Sequence, residues 1–162
     1  TESVYGLSCD PFNADAVANL LQLKQRSLKK GFIVVGANWE QLSPLMQPIA
    51  PPLLARVQAT WPGPSTWIFP ASDIVAHWIH AGLGTIAIRV SDHPLLRTLC
   101  ERVGGPLIST SANVAGQFPA RDVQMTDIIF GKQLPLILEG KVGNRIRPTQ
   151  IMDAMTGDVL RE

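Results

Sequence analysis

Two polar strings set in hydrophobic sequence carry side chains that could bind a ligand. The first is Thr1-Glu2-Ser3-Val4-Tyr5-Gly6-Leu7, and the second is Ser109-Thr110-Ser111-Ala112-Asn113. Hydroxyl and amide groups donate and accept hydrogen bonds, and small residues let a backbone approach a ligand closely. Because Ser, Thr and Asn also favour turns by bonding their own backbone, a purely structural turn is an equal alternative for the second string.

A basic group stands where the first predicted helix gives way to a strand, and its members are Lys24, Arg26, Lys29 and Lys30. One interpretation is a phosphate clamp, with Lys as a point charge and Arg as a forked donor to phosphate oxygens. The structural alternative is that these cations complement the carboxyl end of the helix dipole.

Arg89 lies inside an apolar strand pattern, where a guanidinium is rarely buried without an anionic partner. That partner is either an internal Asp or Glu or the carboxylate of a ligand. A third basic group flanks the terminal strands and could be solvated surface or the far wall of an anion site; it consists of Arg145, Arg147 and Arg161.

Composition narrows the class of protein. The chain has 162 residues, of which 46% are hydrophobic and 17% charged, which is typical of one globular domain. Its formal net charge of +1 argues against a surface built for generic nucleic-acid binding. Cys9 and Cys100 lie in no zinc-type cluster, and the apolar pattern around Cys100 predicts a buried free thiol. Since no membrane span or signal peptide is evident, we expect a soluble, cytoplasmic protein.

Several common catalytic signatures are absent. The sequence contains no Gly-rich phosphate loop, no Rossmann glycine fingerprint and no nucleophile elbow. His77, His80 and His93 lack a supporting Cys or carboxylate cluster, so a metal site is the weaker interpretation and none is predicted.

The elements that must position these groups alternate along the chain. Helical patterns are centred on residues 14–26, 53–60, 74–79, 95–103 and 123–130. Apolar runs predict strands at residues 32–35, 66–69, 85–90, 107–108 and 136–138, and around Ile151 and Val159. The second polar string is expected to form a loop directly after the strand ending at Ile108. This alternation predicts a single α/β domain over residues 1–162, with a mostly buried sheet and flanking helices.

Five strings together resemble the YrdC-like family, and most closely its short bacterial TsaC-type members, the threonylcarbamoyl-AMP synthases. They are Thr1 to Leu7, Leu23-Lys24-Gln25-Arg26 with Lys30-Gly31, Ala87-Ile88-Arg89-Val90 leading to His93-Pro94, Ser109 to Asn113, and Pro148 to Asp153. The resemblance spans nearly the whole chain. It implies a twisted mixed sheet around a positively charged cavity, and a helix and strand upstream of Thr1 that this numbering does not include.

The resemblance also implies an activity. Such a nucleotidyltransferase joins L-threonine, bicarbonate and ATP into L-threonylcarbamoyladenylate and releases pyrophosphate, for threonylcarbamoyladenosine modification at position 37 of tRNA. Mg²⁺ is expected to accompany ATP. Partners are expected among the proteins of the threonylcarbamoylation pathway, with tRNA or double-stranded RNA as a further possibility and no membrane.

The resemblance assigns roles to individual residues. Lys24 and Arg26 would be catalytic and grip the phosphates, while Thr1 and Arg89 would hold threonine, with Arg89 facing its carboxylate. The remaining substrate-binding positions are Ser109, Thr110, Ser111, Asn113, Thr149 and Arg161, of which Ser111, Asn113 and Arg161 would approach the nucleotide.

Two alternatives from other classes are considered. One is an RNA-binding factor in ribosome maturation, which would show a steep salt dependence of RNA affinity. The other is a carbamoyl-adenylate module like that of hydrogenase maturation proteins, which would be indifferent to threonine.

Overall fold

A computed structural model describes residues 2–143 and 149–161. The helices are α1 (Ala14–Lys24), α2 (Trp39–Leu42), α3 (Pro51–Gln58), α4 (His77–His80), α5 (Pro94–Val103) and α6 (Val123–Phe130). The strands are β1 (Gly6–Leu7), β2 (Ile33–Gly36), β3 (Ser65–Pro70), β4 (Thr85–Val90), β5 (Leu107–Ser111), β6 (Gln150–Asp153) and β7 (Val159–Arg161).

The boundaries of α1 follow from local chemistry. Asn13 caps its first turn by accepting a hydrogen bond from the backbone N–H of Ala16 at 3.0 Å, and Asp15 adds a negative charge beside it. The helix ends because Gln25 adopts the left-handed conformation, with φ 48°. Lys24 therefore occupies the last turn, and Arg26 starts the chain segment that leads into β2.

The strands form one sheet in the order β1-β5-β2-β4-β3-β6-β7. The β2–β4 and β3–β6 pairs are parallel, and the other neighbouring pairs are antiparallel. This arrangement confirms the predicted mixed α/β fold.

One face of the sheet carries the main core. Successive strand residues point to opposite faces, and Val34, Ile88, Ile108 and Trp67 share the buried one. Helix α1 contributes to the same core, through side chains such as Val17. Burial of these side chains anchors α1 against the sheet and so fixes the position of Lys24 at its end.

The opposite face carries polar residues. Register pairs Ser109 with Ile33, and Val35 with Arg89, so Arg89 and Ser109 lie on one face. The pairing of Ile151 with Arg161 extends this face to β7. Helix α5 covers part of it, packing Leu96 and Cys100 against Val35 and Leu107. The predicted burial of the Cys100 thiol is confirmed, since Cys100 is fully buried.

The structure corrects several predicted elements. The strand expected to end at Ile108 continues to Ser111, because β5 is paired with β1 as well as with β2. The run Leu136–Leu138 forms no strand, and the helix expected from Ile74 begins only at His77, after a turn in which Val75 bonds Ser72. The sequence analysis also missed β1 and α2, which are short and depend on tertiary partners.

Candidate active site

Lys24 reaches from the end of α1 to the segment after β5. Its Nζ donates to the carbonyl of Ser111, to the carbonyl of Asn113 at 2.9 Å and to Asn113 Oδ1 at 3.1 Å. Burial, with the nearby Arg26 charge adding to it, lowers the pKa of Lys24 to about 8. Lys24 of the basic group and the second polar string, far apart in sequence, thus meet in space.

Asn113 is held on both sides of its amide. Its Oδ1 accepts from Ser111 Oγ at 2.6 Å, and its Nδ2 donates to the carbonyls of Val114 and Gln117 at 3.0 and 2.9 Å. The structural turn that we considered for this string is therefore present. The same turn presents Ser111 and Asn113 to Lys24, so the two interpretations are compatible.

Arg26 is fixed by the chain that follows it. Its Nη2 donates to the carbonyl of Gly31 at 2.6 Å and of Lys30 at 3.3 Å, and its guanidinium lies 5.1 Å from the centre of the Phe32 ring. Its Nε is buried without a hydrogen-bond partner. Burial and the charge of Arg161 lower its pKa. Lys24, Arg26, Ser111 and Asn113 are called the cationic cluster below.

Gly31 makes the Arg26 contact possible. Its φ of 54° is one that residues with a side chain rarely adopt, and a Cβ there would lie 3.1 Å from the carbonyl oxygen of Ile79. Glycine therefore lets the backbone turn and offer its carbonyl to Arg26.

Arg161 approaches the cationic cluster from β7. Its Nη2 donates to the carbonyl of Thr149 at 3.1 Å, and although the residue is exposed, partial desolvation of its guanidinium lowers its pKa. Because Arg161 also lowers the pKa of Arg26, the two guanidinium groups lie close enough to repel each other. Thr1, Arg145 and Arg147 lie outside the described residues.

Arg89 has an internal partner. Its Nη1 donates to Glu2 Oε2 at 3.0 Å, and the two side chains are only 5% and 12% exposed. Burial opposes ionisation of Glu2, but the Arg89 charge and hydrogen bonds outweigh it, and the pKa of Glu2 is lowered. The sequence pattern left the partner open between an internal carboxylate and a ligand, and it did not identify Glu2. The feature that could have identified this partner is the carboxylate that Glu2 contributes to the first polar string.

Ser109 and Thr110 differ in their placement. Ser109 shares the face of Arg89, whereas Thr110 is paired with Leu7, a core residue, and lies on the opposite face from Ser109 and Ser111. Alternation along β5 thus divides the second polar string between the two faces.

The register also sets a spacing along the face that carries Arg89 and Ser109. Ser111 lies two residues beyond Ser109, which pairs with Ile33, whereas Arg89 pairs with Val35. At the rise of a strand, this offsets the backbone of Ser111 from that of Arg89 by about 13 Å along the strands.

A separate cavity of about 720 Å³ lies between α1, α5 and residues 133–141. Its lining is largely apolar and includes Leu20, Leu96, Leu99 and Leu136, and the cationic cluster and Arg89 do not line it. In the described ranges, no group of three or more His, Cys, Asp or Glu side chains could hold a metal ion, and no helix is long and apolar enough to cross a membrane.

The fold and the site together define a mixed α/β protein in which cationic side chains from separate parts of the chain, Lys24, Arg26 and Arg89, are brought to one seven-stranded sheet. A family model for Sua5, YciO and YrdC proteins, described as "Telomere recombination", matches residues 1–162. The chain belongs to this family.

Relatives and solved structures agree with this assignment. The chain is 57% identical over 161 residues to a threonylcarbamoyl-AMP synthase of Coxiella burnetii, covering 99% of this chain and 87% of that protein. It is 46% identical to the Vibrio parahaemolyticus protein of the same name, over 100% and 89% of the two chains.

Among solved structures, P. abyssi Sua5 complexed with L-threonine is 28% identical with a TM-score of 0.88, over 94% of this chain and 45% of that one. The present chain thus spans about half the length of that protein. E. coli YciO is 26% identical with a TM-score of 0.86, over 100% and 80% of the two chains.

Proposed function

We infer that this chain is a threonylcarbamoyl-AMP synthase, a nucleotidyltransferase that uses ATP and serves threonylcarbamoyladenosine formation in tRNA. The observation that carries this proposal is the contact of Lys24 with Ser111 and Asn113, on the sheet that also places Arg89. The identity to synthases that match nearly the whole chain supports it independently.

The proposed reaction forms one phosphorus–oxygen bond and breaks another. The amine of L-threonine combines with bicarbonate to give a carbamate with loss of water, and a carbamate oxygen then attacks the α-phosphate of ATP. The bond to the β-phosphate breaks and pyrophosphate leaves. Charge is redistributed over phosphate oxygens, so the protein must position anions and stabilise the transferring phosphoryl group.

Lys24 and Arg26 suit the phosphate end of this reaction. In the described part of the chain, no carboxylate forms a salt bridge with either one, and the partners of both are backbone carbonyls and one amide oxygen. Their lowered pKa values reflect burial of positive charge without a balancing anion. Triphosphate supplies that charge, so we assign phosphate contacts to both side chains, with Ser111, Asn113 and Arg161 beside them.

Arg89 suits the amino-acid end. Its backbone is offset from that of Ser111 by about 13 Å along the strands, and we place threonine and its carbamoyl group between Arg89 and the phosphates. We assign the threonine carboxylate to Arg89, and retain Thr1, Ser109, Thr110 and Thr149 as further predicted substrate contacts. The positive character of the enclosing cavity, and the upstream helix and strand, also stay predictions.

The described residues contain no cluster of carboxylates that could bind Mg²⁺ on its own. An ion that enters with ATP would therefore be bound mainly by phosphate oxygens and water, as Mg²⁺ often is. We place the reaction in the cytoplasm, with proteins of the threonylcarbamoylation pathway taking up the product.

The test is a pyrophosphate-release assay with ATP in which threonine and bicarbonate are omitted in turn. We expect release to require both. Release that is indifferent to threonine would instead favour the carbamoyl-adenylate alternative. No release from the complete protein, together with salt-dependent RNA binding, would favour the RNA-binding alternative.

A further inference from the structure

The ion pair between Arg89 and Glu2 leaves part of the guanidinium unused. Glu2 accepts from Nη1 of Arg89, whereas Nε is buried and has no hydrogen-bond partner. A guanidinium carries several N–H donors in a rigid planar fork, so one carboxylate on one side does not saturate it.

Glu2 is itself held from the far side. Ser91 Oγ donates to Glu2 Oε1 at 3.4 Å, and the backbone N–H of His93 donates to Ser91 Oγ at 3.2 Å. Ser91 is fully buried. This chain of hydrogen bonds fixes the carboxylate of Glu2, and through it the plane of the Arg89 guanidinium.

We propose that Glu2 is a positioning residue for threonine capture, holding Arg89 so that its remaining N–H donors receive the carboxylate of the amino acid. The proposal rests on the proposed function and extends it to a residue outside the predicted site. In the free protein the pair is neutral, which makes a buried guanidinium tolerable. When threonine binds, the same guanidinium serves two carboxylates along different edges.

A competing arrangement makes the opposite prediction. If Glu2 occupied the place of the substrate carboxylate, threonine would have to displace it, and removing its charge would tighten threonine binding. The contact of Glu2 with Nη1 and not with Nε favours positioning, because a carboxylate in the substrate's place would be expected to bind the guanidinium fork through two parallel hydrogen bonds.

The experiment measures threonine and ATP binding to the Glu2→Gln variant by calorimetry, with the pyrophosphate assay alongside. We expect the threonine dissociation constant to rise about 10- to 100-fold, the range for a charge-assisted hydrogen bond, with the ATP dissociation constant changed less than about twofold. Glu40→Gln, on the exposed side of α2, is the matched control and should change neither.

A carboxylate-free analogue separates positioning from general damage. For L-threoninamide, Glu2→Gln should weaken binding much less than for threonine, because the effect is transmitted through the substrate carboxylate. An equal loss for threonine and its amide, an equal loss for ATP, or tighter threonine binding would each overturn the proposal.

Two further variants can test the same proposal if Glu2→Gln folds poorly. Ser91→Ala removes the hydroxyl that holds Glu2 and should cause a smaller, threonine-specific loss, while Glu2→Asp should lie between wild type and Glu2→Gln. Normal binding by both would also contradict positioning. If the wild-type protein binds no threonine, the proposed function itself fails, whatever the variants do.

Discussion

The cationic cluster and the Arg89–Glu2 pair solve the burial of positive charge in different ways. Lys24 and Arg26 are surrounded by neutral acceptors, and burial lowers the pKa of each. Arg89 instead faces a carboxylate whose own pKa is lowered. A cluster without a counter-charge favours a polyanion such as triphosphate, whereas a neutral pair with unused donors suits a single carboxylate.

Removing the cluster's central cation should have the largest effect. Lys24→Met should lower the rate of pyrophosphate release about 100- to 1,000-fold, because a preorganised charge on the phosphoryl group is lost. Lys29→Met, on an exposed neighbour, is the control and should retain most activity. Near-normal kcat and ATP KM in Lys24→Met would contradict the assignment of this cluster to phosphate.

Arg89→Met should affect threonine use and leave ATP use nearly unchanged, which distinguishes the Arg89–Glu2 pair from the cationic cluster. We expect the threonine KM to rise about 100-fold with a small change in ATP KM, since the carboxylate contact lies away from the phosphates. The variant should also lose about 3 kcal/mol of stability, because Glu2 is left buried without its partner. Urea unfolding of the Arg89→Met, Glu2→Gln double variant should recover much of this stability while threonine binding stays lost.

The pH dependence of stability tests the burial of Lys24. Its pKa is about 8 in the folded protein against an ordinary 10.5, so between these values the unfolded chain binds more protons than the native protein. Stability contributed by this group should therefore rise from pH 8 toward 10.5, by on the order of 1 to 3 kcal/mol.

Urea unfolding at pH 7.5 and 10 should reveal this rise in wild type, and the Lys24→Met variant should show less of it. ATP affinity should change in the opposite sense: it should fall as the pH rises above 8, because Lys24 then loses its positive charge. An identical pH profile in the variant would show that Lys24 is not buried as described.

Gly31→Ala tests how the backbone supports Arg26. The positive φ and the nearby carbonyl of Ile79 predict a loss of about 1 to 2 kcal/mol in the free energy of unfolding and a higher ATP KM. Gly105→Ala is a suitable control, because its Cβ would enter open space at an ordinary φ. Thermal unfolding and the pyrophosphate assay measure the two effects, and equal behaviour of the variants would count against the Gly31 argument.

Thr66→Val is expected to have the smallest effect and the opposite sign. Thr66 is fully buried on the Arg89 face, and its hydroxyl has no hydrogen-bond partner. Replacing it with a methyl group of similar size should leave stability unchanged or raise it by about 1 kcal/mol. Destabilisation in urea unfolding would indicate a partner for this hydroxyl.

Local patterns were sufficient for much of the fold. The apolar run Thr85–Val90 and the helix Val123–Phe130 have the predicted bounds, and the start of α1 at Ala14 follows from the local cap that Asn13 provides. Patterns of this kind work because burial and capping act over a few residues.

The remaining features of the fold and the site depend on contacts between residues far apart in sequence, which local patterns do not predict. The extension of β5 to Ser111 depends on β1, and the partner of Arg89 is separated from it by 87 residues. The meeting of Lys24 with Asn113 was predicted only through the family resemblance, since spacing in sequence gives no distance in space. Whether each predicted contact residue binds substrate stays a prediction.

The end of α1 is joined to the segment after β5 by its backbone as well as by a side chain. The N–H of Ala115 donates to the carbonyl of Lys24 at 2.8 Å, while Lys24 Nζ reaches back to Asn113. An insertion between Ser111 and Ala115 would therefore break both attachments at once. A residue added beside the exposed Phe118 would leave both attachments intact, so this junction constrains loop length before Ala115 more tightly than at Phe118.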